Sequence, residues 1–157
     1  MIALIKLLIS IAATLLIGFV GSIFTTPNIS GWYANLNRPV LSPPNWVFAP
    51  VWTTLFILMG LSLFLVWNLK NKSKIRNWFL IIFILNLVLN TFWSILFFDW
   101  QAPGLAFLEI IPLWLSILAL IILGRKIYKP AAWLLIPYLL WVSFASYLNF
   151  SFWLLNR

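Results

Sequence analysis

Five stretches of this chain are each apolar for about twenty residues or more, the length a helix needs to cross the hydrocarbon core of a bilayer. They run over about Ile2–Phe24, Asn45–Leu69, Asn77–Phe98, Leu105–Gly124 and Ala131–Leu155. In lipid every backbone N–H and C=O must find its partner inside the protein, so spanning segments are helices or closed barrels. The short alternating strands of a barrel are not seen. The expected fold is therefore an all-α membrane protein, a five-transmembrane-helix bundle with residues 1–157 forming one integral membrane domain. Lys6 interrupts the first run but lies close enough to its end to snorkel. That run exceeds a signal-peptide core and no small-x-small site follows it, so it is expected to be retained.

Composition agrees and excludes alternatives. Hydrophobic residues make up 64% of the chain and charged residues 8%, with mean hydropathy +1.07. A soluble domain is about 25% charged. Too little polar surface remains for a soluble enzyme, a disordered tail or a nucleic-acid-binding domain. There is no His and no Cys, and the only acids are Asp99 and Glu109. Disulfides, zinc and iron–sulfur sites and Cys or His nucleophiles are thereby excluded, and no metal site is expected. The chain is instead rich in Trp, Phe and Tyr, at 18%. Interfacial belts and bundle packing account for most of these rings; the alternative for some is the wall of a cavity for a flat ligand.

Basic residues sort by side. Lys6, Lys70, Lys72, Lys74, Arg76, Arg125, Lys126 and Lys129 fall on the N-terminal side of a five-span topology, and Arg38 and Arg157 on the other. The expectation is an N-terminus inside and a C-terminus outside. The basic runs are topology signals and anionic-lipid contacts rather than nucleic-acid contacts. The start directly in span one fits a bacterial cytoplasmic membrane. No internal repeat is visible, which argues against an inverted-repeat transporter.

Connections at 70–76, 99–104 and 125–130 are short, so neighbouring helices are expected to run antiparallel. The loop Thr25–Pro43 is long, carries Trp32, Tyr33, Leu36 and Val40 among its prolines, and reads as a lid packed on the bundle mouth. The alternative places Trp32 and Tyr33 in the interfacial belt.

Polar groups within the spans are sparse and patterned. Asn86, Asn90, Trp93 and Phe97 share one helical face. Buried amides in lipid either bond neighbouring helices or meet a ligand. Tyr138, Trp141, Ala145 and Leu148 share a face of span five, where Ala145 leaves room for a helix or a ligand, and Pro137 should bend or loosen that helix. In span two, Trp52, Phe56 and Met59 lie on one side, and the Trp52 indole needs an acceptor if buried. Glu109 in span four is either structural or functional. Ser10, Thr14, Gly18 and Ser22 place a small residue every fourth position of span one, for packing within the bundle or for a dimer seam.

These residues carry a resemblance. Trp32-Tyr33, Arg38-Pro39, Pro43-Pro44, Trp46-Val47-Phe48 and Pro50-Val51-Trp52-Thr53, then Asn86, Asn90, Trp93-Ser94 and Phe97-Phe98, then Pro137-Tyr138-Leu139, Trp141, Phe144-Ala145 and Leu148-Asn149 resemble the translocator protein family, also called TspO or the peripheral benzodiazepine receptor. The match runs in order along nearly the whole chain. It implies a cavity opening toward the long first loop, and ligands such as protoporphyrin IX, sterols and benzodiazepine-site compounds. By this resemblance, the ligand-contact positions are Tyr33, Pro43, Trp52, Phe56, Asn90, Trp93, Trp141, Ala145 and Leu148. Some bacterial members are reported to degrade porphyrin in light and oxygen, and the tryptophans tied to that reaction match Trp52 and Trp141. The usual acid of helix four is matched by Glu109, and a homodimer is implied. The sterol motif of animal members is broken at Phe150 and Leu154.

Beside the resemblance, the residues themselves suit a mostly apolar pocket with few polar anchors. Arg38 is the candidate contact for a propionate. Without His or Cys the best axial ligands for haem iron are missing, which favours a metal-free porphyrin as ligand or substrate, with no cofactor required. The alternatives are a non-enzymatic receptor or transporter for porphyrins, sterols or lipids, and a ligand-free structural subunit.

Overall fold

The computed structural model describes residues 1–70 and 73–157. The described residues are all-helical outside their turns. Helix α1 runs Ile2–Ile29, α2 Phe48–Trp67, α3 Lys74–Ser94, α4 Pro103–Ile127, α5 Lys129–Trp133 and α6 Ile136–Leu155. Short 3-10 turns at Tyr33–Asn35 and Asn45–Val47 interrupt the connection from α1 to α2, and a wide π-helical turn, Ile95–Asp99, extends α3. By length and composition five segments can cross a membrane: Ile2–Ile29, Asn45–Trp67, Lys74–Asp99, Pro103–Ile127 and Lys129–Leu155.

The ends differ from expectation for local reasons. Helix α1 continues past Phe24, with Thr25 Oγ1 bonding Gly21 O and Asn28 Nδ2 bonding Phe24 O. Pro27 falls in the last turn, where its missing N–H removes a single bond. The connecting loop is therefore shorter than the Thr25–Pro43 read from sequence. Span five is broken at Leu134–Leu135 into α5 and α6. Pro137 sits in the first turn of α6, where it has no helical N–H to lose.

The helices form a ring: α1 against α2 and α3, α3 against α4, α4 against α5 and α6, and α5 back against α2. The small-residue stripe of α1 is used inside this ring. Thr14 Oγ1 donates to Phe56 O at 2.7 Å. A Cβ on Gly60 would lie 2.7 Å from Ile11 Cα, so only glycine allows that backbone approach. Ser22, the last of the stripe, is exposed.

Away from the loop, the bundle is closed. Phe79 stacks on Phe83 among Met59, Ile117, Leu120 and Leu135. Gly124 lets α4 touch Ala132, and Ser62 Oγ donates to Ala131 O at 2.8 Å. Arg76, counted from sequence in a basic run read as a topology signal and anionic-lipid contact, is buried instead. Its Nε donates to Val66 O at 3.1 Å and its Nη2 to Trp67 O at 2.9 Å, capping the end of α2. Lys72, of the same cationic run, lies outside the described residues.

Candidate functional site

The half of the bundle nearer the loop holds a cavity of about 440 Å³, walled by α1, α2, the end of α3 and α6. Eight of the positions singled out from sequence line it: Tyr33, Trp52, Phe56, Asn90, Trp93, Trp141, Ala145 and Leu148. Pro43 and Arg38 do not. Pro43 is half-buried in the loop, and the Arg38 guanidinium lies outside the lining, 5.0 Å over the Tyr33 ring.

Each wall has a local cause. On α2, Trp52 stacks on Phe56 with ring centroids 5.6 Å apart, as an i, i+4 pair. On α3, Trp93 stacks on Phe97 at 5.2 Å, just where the wide turn Ile95–Asp99 begins. The turn closes through Trp100 N to Ile95 O and Ala102 N to Leu96 O, with Gln101 at positive φ. On α6, Trp141 meets Phe48 and Phe144 by ring contacts at 6.0 and 5.8 Å. The α1 wall was missed from sequence. Gly18, Gly21, Ser22 and Thr25 line the cavity because they are small, and the small-residue stripe was its only signal.

The loop closes over this end. Tyr33 is buried and packs on Phe98 and Phe152 at 5.6 and 5.3 Å, while Trp32 packs edge-on to Phe97. Asn37 N donates to Asn156 Oδ1 at 2.9 Å, and Asn156 Nδ2 returns a bond to Asn37 O at 3.1 Å. The lid is thus fastened to the end of α6. In its second half Pro39 is buried, while Val40 and Leu41 are exposed. Burial pushes the Tyr33 phenol above its ordinary pKa, with Ser42 and Arg38 pulling less strongly the other way.

The polar atoms divide into engaged and open ones. Asn90 Nδ2 donates to Tyr138 Oη at 3.0 Å, Tyr138 Oη to Asn86 Oδ1 at 3.3 Å, and Asn86 Nδ2 to Ser116 Oγ at 2.8 Å. Asn86 therefore joins helices and does not line the cavity. Trp93 Nε1 donates to Asn149 Oδ1 at 2.9 Å, and Asn149 Nδ2 to Pro103 O at 2.7 Å. By contrast, the indole N–H groups of Trp52 and Trp141 and the Oδ1 of Asn90 have no partner among the described residues, and none of the three is fully enclosed. The cavity is thus walled by flat aromatic rings, with the amide of Asn90 and a few hydroxyls of α1 and α2 among them and no charged side chain among the described residues of its lining. Among the described residues its lining brings together no acid, base and nucleophile.

Glu109 stands apart. It is buried in α4, both carboxyl oxygens lack partners among the described residues, and it does not line the cavity. Phe150 and Leu154, where the sterol motif is broken, are partly exposed, and Phe150 packs on Phe107 and Trp153. Neither belongs to the cavity lining. Among the described residues no cluster of metal-ligating side chains occurs.

Comparison with known proteins fits this arrangement. The model of the TspO/MBR family matches residues 10–154. The chain is similar to the tryptophan-rich protein TspO of Chlorobaculum tepidum, 43% identical over 150 residues, covering 96% of this chain and 95% of that protein. It is 42% identical to the tryptophan-rich protein TspO of Archaeoglobus fulgidus over 153 residues, 96% of this chain and 97% of that one. It is 34% identical to the human translocator protein over 139 residues, 86% and 80% of the two chains. With five bilayer-length apolar helices and a family match over nearly its whole length, this chain is an integral membrane protein belonging to the TspO/MBR family.

Proposed function

We propose that the cavity binds a flat, largely apolar small molecule, and that a metal-free porphyrin such as protoporphyrin IX is the ligand class it suits best. One observation carries this reading: Trp52 and Trp141 line the same cavity, and their indole N–H groups have no partner among the described residues. Buried indole N–H groups ordinarily find acceptors, and a bound ligand would supply them. Trp52, Trp93 and Trp141 offer faces for stacking, and Asn90 Oδ1 accepts from a ring N–H. The volume falls within the range of small-molecule sites. Arg38 lies outside the lining, over the Tyr33 ring, and would meet a propionate only if the lid gives way.

The same cavity supports a photochemical step without any protein acid or base. A porphyrin absorbs light and activates oxygen, and Trp52 and Trp141 are among the oxidisable side chains beside it. The alternative is binding without chemistry, as a receptor or transporter would do. The test is titration of the reconstituted protein with protoporphyrin IX in the dark, then illumination in air. The expected result is saturable fluorescence quenching followed by a new bilin-like absorbance. Light-driven turnover that survives in both Trp52→Phe and Trp141→Phe sinks the photochemical role; a ligand recovered unchanged favours the receptor. No saturable quenching sinks the binding reading itself.

The charge asymmetry supports an N-terminus inside a bacterial cytoplasmic membrane. A second copy would pack most readily on α1, the least covered of the five spans.

A further inference from the structure

Span five packs differently along its length. Its short half, α5, lies against α2 and α4, and the Ser62–Ala131 bond ties it to α2. Its long half, α6, lies chiefly against α4 and scarcely meets α2. The seam between α2 and α6 is therefore zipped at one end, while toward the loop the two backbones part and only the ring contacts Trp52–Tyr138 and Phe48–Trp141 bridge them. In the parted stretch lies a groove of about 560 Å³ on the outside of the bundle, walled by Val51, Leu55, Leu58, Leu140 and Phe144. Both of its helices belong to membrane-spanning segments, so the groove faces hydrocarbon.

Trp141 lines this groove and also lines the inner cavity. One indole is thus a wall common to both spaces. It is half-buried, packed on the core and in ring contact with Phe48 and Phe144, with no hydrogen bond fixing its N–H among the described residues. Turning about its own side-chain torsions requires no hydrogen bond to break. The loop end, in contrast, is shut by the buried Tyr33 and by the bonds between Asn37 and Asn156. The lining also reaches the outer surface between α1 and α2 at Phe19, Ser22, Thr26 and Thr53, where the Ser22 and Thr53 hydroxyls are bonded to carbonyls of their own helices, and this rim is the competing route.

We propose that the α2–α6 seam is a lateral portal through which a flat, lipid-dissolved ligand passes between the bilayer and the cavity, with Trp141 as the movable wall. The proposal rests on the ligand-binding reading above. A portal belongs to neither the free nor the bound state. Narrowing it slows entry and exit by the same factor and leaves the equilibrium untouched.

The chain has no cysteine, so a Thr54→Cys/Leu140→Cys pair can be bridged by a bis-maleimide without background labelling. Both side chains are exposed, and neither lines the cavity. In phospholipid nanodiscs carrying protoporphyrin IX in the lipid, stopped-flow quenching reads the rates and a titration reads Kd. The expected result is that bridging slows association and dissociation alike, by about ten-fold or more, with Kd held within about two-fold. The groove-filling Thr54→Trp should slow both rates in the same direction without a linker. Unchanged rates in the bridged protein, with binding intact, overturn the portal and assign passage to the α1–α2 rim. A fall in affinity in place of equal slowing also overturns it, because the groove is then part of the site. If the wild-type protein shows no saturable uptake, the cavity reading fails and the portal with it.

Discussion

Tyr138→Phe tests the polar chain that sets the cavity's acceptor. The Tyr138 hydroxyl is fully buried, accepts from Asn90 and donates to Asn86. The substitution keeps the ring, and with it the edge contact to Trp52 at 6.2 Å. Only the two hydrogen bonds are lost. Polar side-chain bonds between membrane helices contribute about 0.6 kcal/mol on average, up to about 1.7. The partners then differ. Asn90 borders the cavity, so its freed Nδ2 can turn to water or ligand. Asn86 is completely enclosed, so its Oδ1 is stranded, while Ser116 still holds the other end of its amide. A stranded buried acceptor costs about 1–3 kcal/mol. Taken together the loss is about 1–3 kcal/mol, because the stranding cost already contains the broken bond. For a chain of this length that lowers Tm by roughly 2–10 °C. Thermal unfolding of the ligand-free protein in detergent measures it. The polar chain also predicts coupling: Asn90→Ala should cost measurably less in the Tyr138→Phe background than in the wild type. A Tm within about 1 °C of wild type, together with additive effects of the two substitutions, would show that the bonds do not contribute and refute the reasoning.

Three further outcomes follow from particular contacts. Gly60→Ala drives a methyl against the Ile11 backbone, which cannot give way, and should destabilise by about 1–3 kcal/mol in the same thermal assay. Arg76→Met keeps the aliphatic stem but removes both bonds to the α2 carbonyls, and should cost about 2–3 kcal/mol, whereas Lys74→Met on the exposed side of the same turn should change little. The Tyr33 phenol is held above its ordinary 10.0 by burial, so the neutral form favours the closed lid. The lid's stabilisation is therefore complete below that pH and lost as pH rises through the raised value; melting curves against pH should show an alkaline loss in the wild type that Tyr33→Phe lacks.

The spans were legible because bilayer thickness sets a length that hydropathy alone reveals. Their ends were not, since side-chain bonds such as Thr25 to Gly21 and the Ser73 cap on Arg76 N decide them locally. Eight cavity positions were legible from shared helical faces together with the family resemblance. Pro43, taken as a contact from the resemblance, and Arg38, taken as the propionate contact, lie outside the lining, because a loop has no periodicity to say which way a residue points. Arg76 was misread for a related reason: position along the sequence marked it as an interfacial cation, and only the fold brings the α2 carbonyls to it. The α1 wall went unseen because small residues signal close approach equally well for a helix and for a ligand. The seam between α2 and α6 was also invisible, for it depends on where span five breaks, and Pro137 gave only the region of that break.

What divides scaffold from site here is whether a polar atom is engaged. Asn86, Ser116, Tyr138, Asn149 and the Trp93 N–H all bond across helices. Their removal should act first on stability and only through it on binding. The Trp52 and Trp141 N–H groups are open, so conservative replacement of either by Phe should leave the fold intact and act on the ligand. Asn90 stands at the boundary, with one end of its amide in the polar chain and the other open to the cavity. Trp141 has a further distinction, because the same ring also faces the lipid-side groove. Its replacement should therefore change the rate of exchange as well as the affinity, whereas Trp52→Phe should change affinity without opening the seam. Comparing the two variants separates holding the ligand from admitting it, and it does so with two side chains of the same chemistry in the same cavity.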